Sequence, residues 1–377
     1  MRKILFWCPF LTHVGTIKAV INYASILNKR KKYKTYIISA FGEWNDFDDQ
    51  LRKKKIKLIK IFNYKWFLPK YGLLSKLSLI LISIISIIPL IIIYKKYKPD
   101  YLISNLLGIV PILSKILSNS KSPKIIMSIQ GYPHFNFLRK LLWKFFYQKS
   151  DALICLTNKT KFILKNKIKI TKPIYKIDNP LILNNSNYPN LKNKYLNLLK
   201  KTKSLKIISL GRLTYQKNFE CLIDGLRIFK NEYPNFLLLI IGEGELLIKL
   251  EKKIKLYKLS SNIKLIGFIK NPYIFYKYSD LYISSSRWEE PGHTLIEAAH
   301  YKVPIITSDC LNGPKEIFKD NSGIMFRNNN PNDLSKKISF FISLSKTKKK
   351  QMINKAYKKT LTYKENYFYS KMIKILK

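Results

Sequence analysis

Residues 280–308 constrain the fold more than any other stretch, because two short apolar runs bracket a loop and a helix-forming segment. Asp-Leu-Tyr-Ile-Ser-Ser at 280–285 and Val-Pro-Ile-Ile-Thr-Ser at 303–308 read as buried strands. Between them runs Arg-Trp-Glu-Glu-Pro-Gly-His-Thr-Leu-Ile-Glu-Ala-Ala, a loop followed by a helix. Strand, loop, helix, strand is the unit of an open α/β sheet, which binds ligands beyond the carboxyl ends of its strands. Pro291 suits a first helical turn, so backbone N–H groups of Gly292, His293 and Thr294, with Leu295 next, would face an anion. Glu289 falls in the loop, and Glu297 on the first or second helical turn facing the same crevice. Two carboxylates beside an anion site suit a ligand with both hydroxyls and phosphates, as a nucleotide sugar has.

The same alternation extends through the second half. Lys-Ile-Ile-Ser-Leu at 206–210 is a strand ending in Gly211, whose freedom lets the backbone turn sharply. Arg212 offers a planar fork and Lys217 a compact charge, a pair able to clamp a diphosphate before an amphipathic helix through Leu226. Only 8 of the 70 basic residues are Arg, so Arg212 is not simple background. An apolar strand at 236–241 ends in Gly-Glu-Gly-Glu, and another at 263–268 precedes Asn271-Pro272. Strands and helices at this spacing predict a parallel, doubly wound sheet. The first half repeats the theme with strands at 3–8, 35–40, 101–104 and 125–129.

The seven residues between Glu289 and Glu297, together with the Gly-Arg-x-x-x-x-Lys-Asn pattern at 211–218, resemble glycosyltransferase family 4, the group 1 glycosyltransferases of GT-B fold. The match is nearly unbroken from 205 to 325 and includes Asp-Cys-Leu-Asn-Gly-Pro-Lys-Glu-Ile at 309–317. Family members usually carry Gly directly after the first Glu. Here that place holds Glu290, so both Glu289 and Glu290 are candidates to face the sugar. Relatives also carry a Gly-Gly pair in the loop after the first strand, where this chain keeps Gly15 followed by Thr16. Many have His directly after the strand at 125–129. Here Gln130 stands there with His134 four residues on, and either could approach the transferred sugar.

The resemblance implies two Rossmann-like doubly wound domains facing each other across a cleft. It implies a nucleotide-diphosphate sugar as donor, retention of anomeric configuration, transfer of a hexosyl or N-acetylhexosaminyl group, and no metal or other cofactor. Arg212 and Lys217 would stabilise the departing diphosphate with help from Gly211 and the N–H groups at 292–294. Glu297 would bind ribose hydroxyls, Glu289 would position the sugar, and Gly267 and Phe268 would meet the base through the backbone. Gly15 and Thr16 would approach the donor phosphates.

At 377 residues two domains are expected. The boundaries read as 1–182 for an acceptor-side domain, 183–204 for a polar linker and 205–362 for a nucleotide-sugar domain, with a helix in 363–377 packing back on the first. Cys8, Cys155, Cys221 and Cys310 are scattered, which suggests reduced thiols and a cytosolic chain. Met-Arg-Lys leads into a strand rather than a cleavable apolar segment. His13, His134, His293 and His300 have no metal-ligand spacing. Asp46-Phe47-Asp48 has the spacing of a metal-binding pair but sits in a polar loop foreign to the fold that uses it.

The formal charge of +48 is concentrated: 26 Lys plus Arg against Asp100, Asp151 and Asp178 between residues 50 and 180. Such a field draws the first domain toward an anionic membrane surface. No nucleic-acid-binding motif accompanies it. Residues 77–93 are almost purely Leu, Ile and Ser, interrupted by Pro89. The strands on either side belong to one sheet, so the segment reads as a Pro-kinked buried or interfacial helix rather than a span. The basic, aromatic stretch 135–146 could lie on the same surface. Together these features predict a cytoplasmic enzyme, peripheral on the inner face of the membrane. Its acceptor would be a lipid-linked or lipopolysaccharide-type glycan. A soluble glucan- or sucrose-type synthase and a non-catalytic basic protein on the same fold are the alternatives.

Overall fold

The computed structural model describes residues 1–12, 15–63, 68–70, 72–133, 136–182, 194–269 and 271–377. The chain divides into two compact units: unit 1 comprises Met1–Ile182 with Thr362–Lys377, and unit 2 comprises Leu183–Leu361. Each is a parallel-sheet, Rossmann-like α/β domain.

Unit 1 is built on β1 (Arg2–Trp7), β2 (Tyr33–Ser39), β3 (Lys57–Lys60), β4 (Tyr101–Ser104), β5 (Lys124–Ile129), β6 (Ala152–Cys155) and β7 (Ile174–Lys176). Their order is β3-β2-β1-β4-β5-β6-β7, and every neighbouring pair is parallel. Strands covered on both faces need near-continuous apolar runs, and the central ones have them. The helix Gly15–Asn28 covers one face, where the C-terminal helix Glu365–Met372 joins it. The Tyr23 and Phe368 rings pack there at a tilt of 37°, with centroids 4.4 Å apart. Helices Gly72–Ile85, Ile87–Tyr97, Ile109–Leu117 and Phe137–Tyr147 lie on the opposite side.

The apolar stretch expected as one kinked helix is two helices bent by 42° at Ser86, one turn before Pro89. Pro89 lacks the N–H that would bond the Ile85 carbonyl, and its ring crowds that same carbonyl. Among the described residues no single helix is long and apolar enough to cross a membrane.

Unit 2 contains β8 (Leu205–Leu210), β9 (Phe236–Ile241), β10 (Ile263–Leu265), β11 (Leu281–Ser284), β12 (Trp288–Glu289), β13 (Ile305–Ser308), β14 (Leu311–Asn312) and β15 (Ile324–Phe326). Six of these form a parallel sheet ordered β10-β9-β8-β11-β13-β15, while β12 and β14 pair separately. In both sheets the strand order reverses once, between β1 and β4 and between β8 and β11. A crevice opens at such a reversal beyond the carboxyl ends of the strands.

Two local expectations change. Part of the polar stretch read as linker is a helix, Lys194–Lys201, because Leu196 and Leu199 fall three apart on one face and bury in the unit 2 core. The strand expected over 263–268 stops at Leu265. Gly267 turns to φ +76° and its carbonyl accepts from the Gly242 N–H at 2.9 Å, which carries the chain out of the ladder.

Candidate functional site

The carboxyl ends of β8 and β11, side by side at the reversal of the unit 2 sheet, carry the two motifs. After β8 come Gly211, Arg212 and Lys217; after β11 come Ser286, Glu289 and Glu290. The loops are stitched together along their length. The Arg287 N–H donates to the Gln216 carbonyl at 2.8 Å, and Gln216 Nε2 donates to the Trp288 carbonyl at 3.1 Å. Ser285 Oγ donates to the Lys217 carbonyl at 3.0 Å. Arg287 reaches Asn218 Oδ1 at 3.1 Å and lies over the Tyr215 ring, 4.3 Å from its centroid.

The charged groups meet inside this seam. Lys217 Nζ is ion-paired with Glu289 Oε1, and Ser286 Oγ donates to that oxygen at 2.6 Å. Both side chains are largely withdrawn from water, so attraction is strong and desolvation is shared between opposite charges. Of the two candidate carboxylates, Glu289 is the one against Lys217; Glu290 is also buried. Arg212 is exposed at the rim, with Nη2 3.4 Å from Gln216 Oε1.

Gly211 does not serve by taking a left-handed conformation. A Cβ there would meet the Lys217 stem at 3.0 Å, so the missing side chain lets Lys217 lie across the strand end. Gly242 is the more demanding position. At φ +149° its Cβ would lie 1.9 Å from the Gly211 carbonyl oxygen, a backbone contact no side chain could relieve.

The helix expected from Pro291 starts instead at His293, with Gly292 as its left-handed N-cap at φ +96°. β12 pairs in parallel with β14, which keeps Trp288–Glu289 extended. The Pro291 carbonyl packs 1.9 Å from where a Cβ of Gly313 would stand, so only glycine fits at 313, and the chain bends at Glu290 and Pro291 before reaching Gly292. His293, Thr294 and Leu295 form the first turn, and the Leu295 N–H donates to the Gly292 carbonyl at 3.0 Å. Glu297 lies on the second turn and is buried. Tyr276 orients it: the hydroxyl is 3.4 Å from Glu297 Oε2 and 3.2 Å from the Thr294 carbonyl. The Tyr282 hydroxyl reaches Thr294 Oγ1 at 2.7 Å and the Leu210 carbonyl at 3.4 Å, tying the helix start to the end of β8. Burial pushes both phenols up, so both stay protonated donors.

Gly267 and Phe268 lie beyond β10 at the same end of the sheet, with Phe268 exposed and open space where a Gly267 Cβ would be. Gly15 and Thr16 open the first helix of unit 1, after β1. His134 lies outside the described residues. Gln130 has both ends of its amide engaged: Nε2 donates to Ser128 Oγ at 2.7 Å, and Oε1 accepts from Asn179 Nδ2 at 2.7 Å. Asp48 accepts from Arg52 at 2.8 Å on a surface helix.

Ser286, Gln216, Tyr276, Tyr282, Gly242 and Gly313 went unrecognised as site residues in the sequence. Both tyrosines sit in apolar runs where periodicity marks them as core. The glycine at the end of β9 is the one signal that could have been read, since a strand-ending Gly permits close backbone approach.

The profile described as "Glycosyl transferases group 1" matches residues 194–359. The chain is 33% identical over 328 residues to an uncharacterized glycosyltransferase of Methanocaldococcus jannaschii, covering 81% of this chain and 76% of the relative. It is 24% identical over 386 residues to GalNAc-α-(1→4)-GalNAc-α-(1→3)-diNAcBac-PP-undecaprenol α-1,4-N-acetyl-D-galactosaminyltransferase of Campylobacter jejuni, covering 100% and 98%. Among solved structures it resembles TarM of S. aureus bound to UDP and α-GlcNAc-glycerol, with a TM-score of 0.78, 16% identity, and 99% of each chain covered. That likeness is one of fold, GT-B.

Proposed function

Since the chain belongs to the group 1 glycosyltransferases, we propose that it is a retaining family 4 enzyme. It transfers a hexosyl or N-acetylhexosaminyl group from a nucleotide-diphosphate sugar to a lipid-linked or lipopolysaccharide-type glycan. The observation that carries the reading is the seam at the reversal of the unit 2 sheet. There Lys217 is paired with Glu289, Arg212 lies exposed on the same loop as Lys217, and the helix His293–His300 begins just after Glu289 and Glu290.

In this reading the departing diphosphate gathers negative charge as the glycosidic bond breaks. Arg212 at the rim, the Lys217 ammonium and the N–H groups of His293 and Thr294 stabilise that charge without reorganising. Glu289 is the acceptor group nearest Lys217 and holds sugar hydroxyls, while Glu297 takes the ribose hydroxyls. Gly267 and Phe268 meet the base. No metal is required, because fixed cations and a helix terminus supply the positive field. The undecaprenol-linked acceptor named for the Campylobacter relative, and the UDP bound by TarM, support the acceptor and donor classes. A cytoplasmic enzyme peripheral on the inner membrane face would meet both.

Screening nucleotide sugars for thermal stabilisation tests the donor: a ligand at a hundred times its dissociation constant adds about 2.7 kcal/mol. The anomeric configuration of the product, read by NMR, tests retention. Absence of stabilisation by every nucleotide sugar and free nucleotide diphosphate, or an inverted product, would overturn the reading.

A further inference from the structure

We propose that the outward side of the four helices covering one face of the unit 1 sheet docks on an anionic lipid bilayer. Its apolar side chains enter the interface and its lysines and arginine meet the headgroups.

The helix pair Gly72–Ile85 and Ile87–Tyr97 has two stripes. Ser78, Ile82, Ser86, Leu90 and Ile93 are buried against the sheet. On the opposite stripe Leu74, Leu77, Leu81, Ile84, Ile88 and Ile92 recur every three or four residues, straight through the bend, and all are exposed. Ile84 is 64% and Ile88 70% exposed. A helix covering a core normally turns polar residues outward, and this one does not.

The next helices continue the surface. Tyr94 donates to the Pro111 carbonyl at 3.2 Å and Ser114 Oγ to the Ile87 carbonyl at 3.1 Å, joining Ile87–Tyr97 to Ile109–Leu117. That helix packs in turn on Phe137–Tyr147. In this last helix Tyr147 alone is buried, while Phe137 is 79% and Phe145 59% exposed. All four helices cover the same face of one sheet, so their outward sides look the same way.

Charge selects the occupant. Lys76 lies near the start of the first pair and Lys95 and Lys96 near its end, and Arg139, Lys140 and Lys144 lie on the last helix. The three carboxylates between residues 50 and 180 are all engaged. Asp100 accepts from the Lys3 N–H at 2.7 Å, and Asp178 pairs with Lys176 at 2.6 Å. Asp151 accepts from the Ile125 N–H at 2.7 Å while pairing with Lys115 of the third helix at 3.3 Å, so Asp151 offsets that one lysine only. A second copy would set this basic surface against itself in a symmetric dimer. An anionic bilayer matches both the apolar stripe and the cationic flanks. The pair lies on the membrane rather than crossing it: β3 before it and β4 after it belong to one sheet, and its inner stripe is packed on that sheet.

The test is flotation of the full chain with phosphatidylglycerol–phosphatidylcholine vesicles and with phosphatidylcholine alone. The chain should float with the anionic vesicles and lose part, not all, of its binding at high salt, since screening reaches only the charges. The exposed-site variant Ile84→Asp/Ile88→Asp should lower partitioning at least about tenfold at every salt concentration with its melting temperature unchanged. Lys140→Glu/Lys144→Glu should lower it about tenfold or more at low salt. Lipids with brominated acyl chains should quench the wild-type chain more than Trp143→Phe. No flotation with anionic vesicles at low salt would overturn the proposal, as would unchanged partitioning in both double variants. A dimer by light scattering, dissolved by the Asp pair and unaccompanied by vesicle binding, would assign the surface to a second copy. None of these outcomes depends on sugar transfer.

Discussion

Replacing Lys217 by Ala probes two roles at once, and the structure allows them to be separated. The ammonium is ion-paired with Glu289, and Ser286 donates to the same carboxylate oxygen. Removing one cation aimed at developing charge costs about 3 kcal/mol of transition-state stabilisation, a loss of at least about a hundredfold in turnover. Removing it also leaves the buried Glu289 carboxylate with the Ser286 hydroxyl alone among the bonds described above. Breaking a buried pair costs roughly 3–5 kcal/mol, and because Lys217 keeps some contact with water the lower end applies. In a domain of this size that is a fall of about 6–12 °C in Tm. Adding Glu289→Gln to Lys217→Ala removes the stranded charge while a side-chain oxygen remains to accept from Ser286. Calorimetry should then return most of the lost stability, while the initial rate of nucleotide release stays low. Arg212→Ala supplies the control, because Arg212 is exposed: turnover should fall at least about a hundredfold with Tm almost unchanged. Near-wild-type turnover in Lys217→Ala and Arg212→Ala would remove the diphosphate clamp. Turnover that recovers with stability in the double variant would reduce Lys217 to a structural partner of Glu289.

Chelator treatment should leave transfer activity essentially unchanged, and abolition by chelator with rescue by manganese or magnesium would revive Asp46 and Asp48 as ligands. Tyr282→Phe removes the hydroxyl linking Thr294 to the end of β8 and should cost about 1–3 kcal/mol by chemical denaturation; an unchanged midpoint would show that the link is idle. Burial pushes the Cys221 thiol up to about 11 and Cys310 up to about 12. Folding therefore retains protons that unfolded thiols release near pH 8.5, so this stabilisation is complete below that pH and declines as pH rises toward the folded values. Iodoacetamide at pH 8 should spare both in the native chain and modify both in denaturant, as read by mass spectrometry. Native labelling at the rate of a free thiol would contradict their burial.

Much of the architecture was legible because it is written in local patterns. The apolar runs at 206–210, 236–241 and 303–308 became β8, β9 and β13 almost residue for residue. The alternation of strands and helices announced parallel sheets. Where local signals conflicted with packing, packing decided. Pro291 reads as a helix opener, yet the β12–β14 pairing and the close approach of Gly313 delay the helix to His293. The Lys- and Asn-rich segment after 183 reads as linker, yet two leucines on one face were enough to dock Lys194–Lys201.

By itself the sequence determined that the chain would build two doubly wound sheets, which loops would carry Arg212, Lys217 and Glu289, and that Glu297 would lie on the helix that follows. Periodicity and turn chemistry act over a handful of residues, so they can be read in one dimension. Only the tertiary structure decided that Lys217 meets Glu289 across 72 positions of chain, that Gln216 bonds the Trp288 carbonyl, and that Tyr276 turns toward Glu297. It alone also decided which stripe of the apolar helices faces away from the sheet. Those partnerships depend on the register of strands joined by long crossovers, and register is set by the packing of the whole sheet rather than by any segment within it.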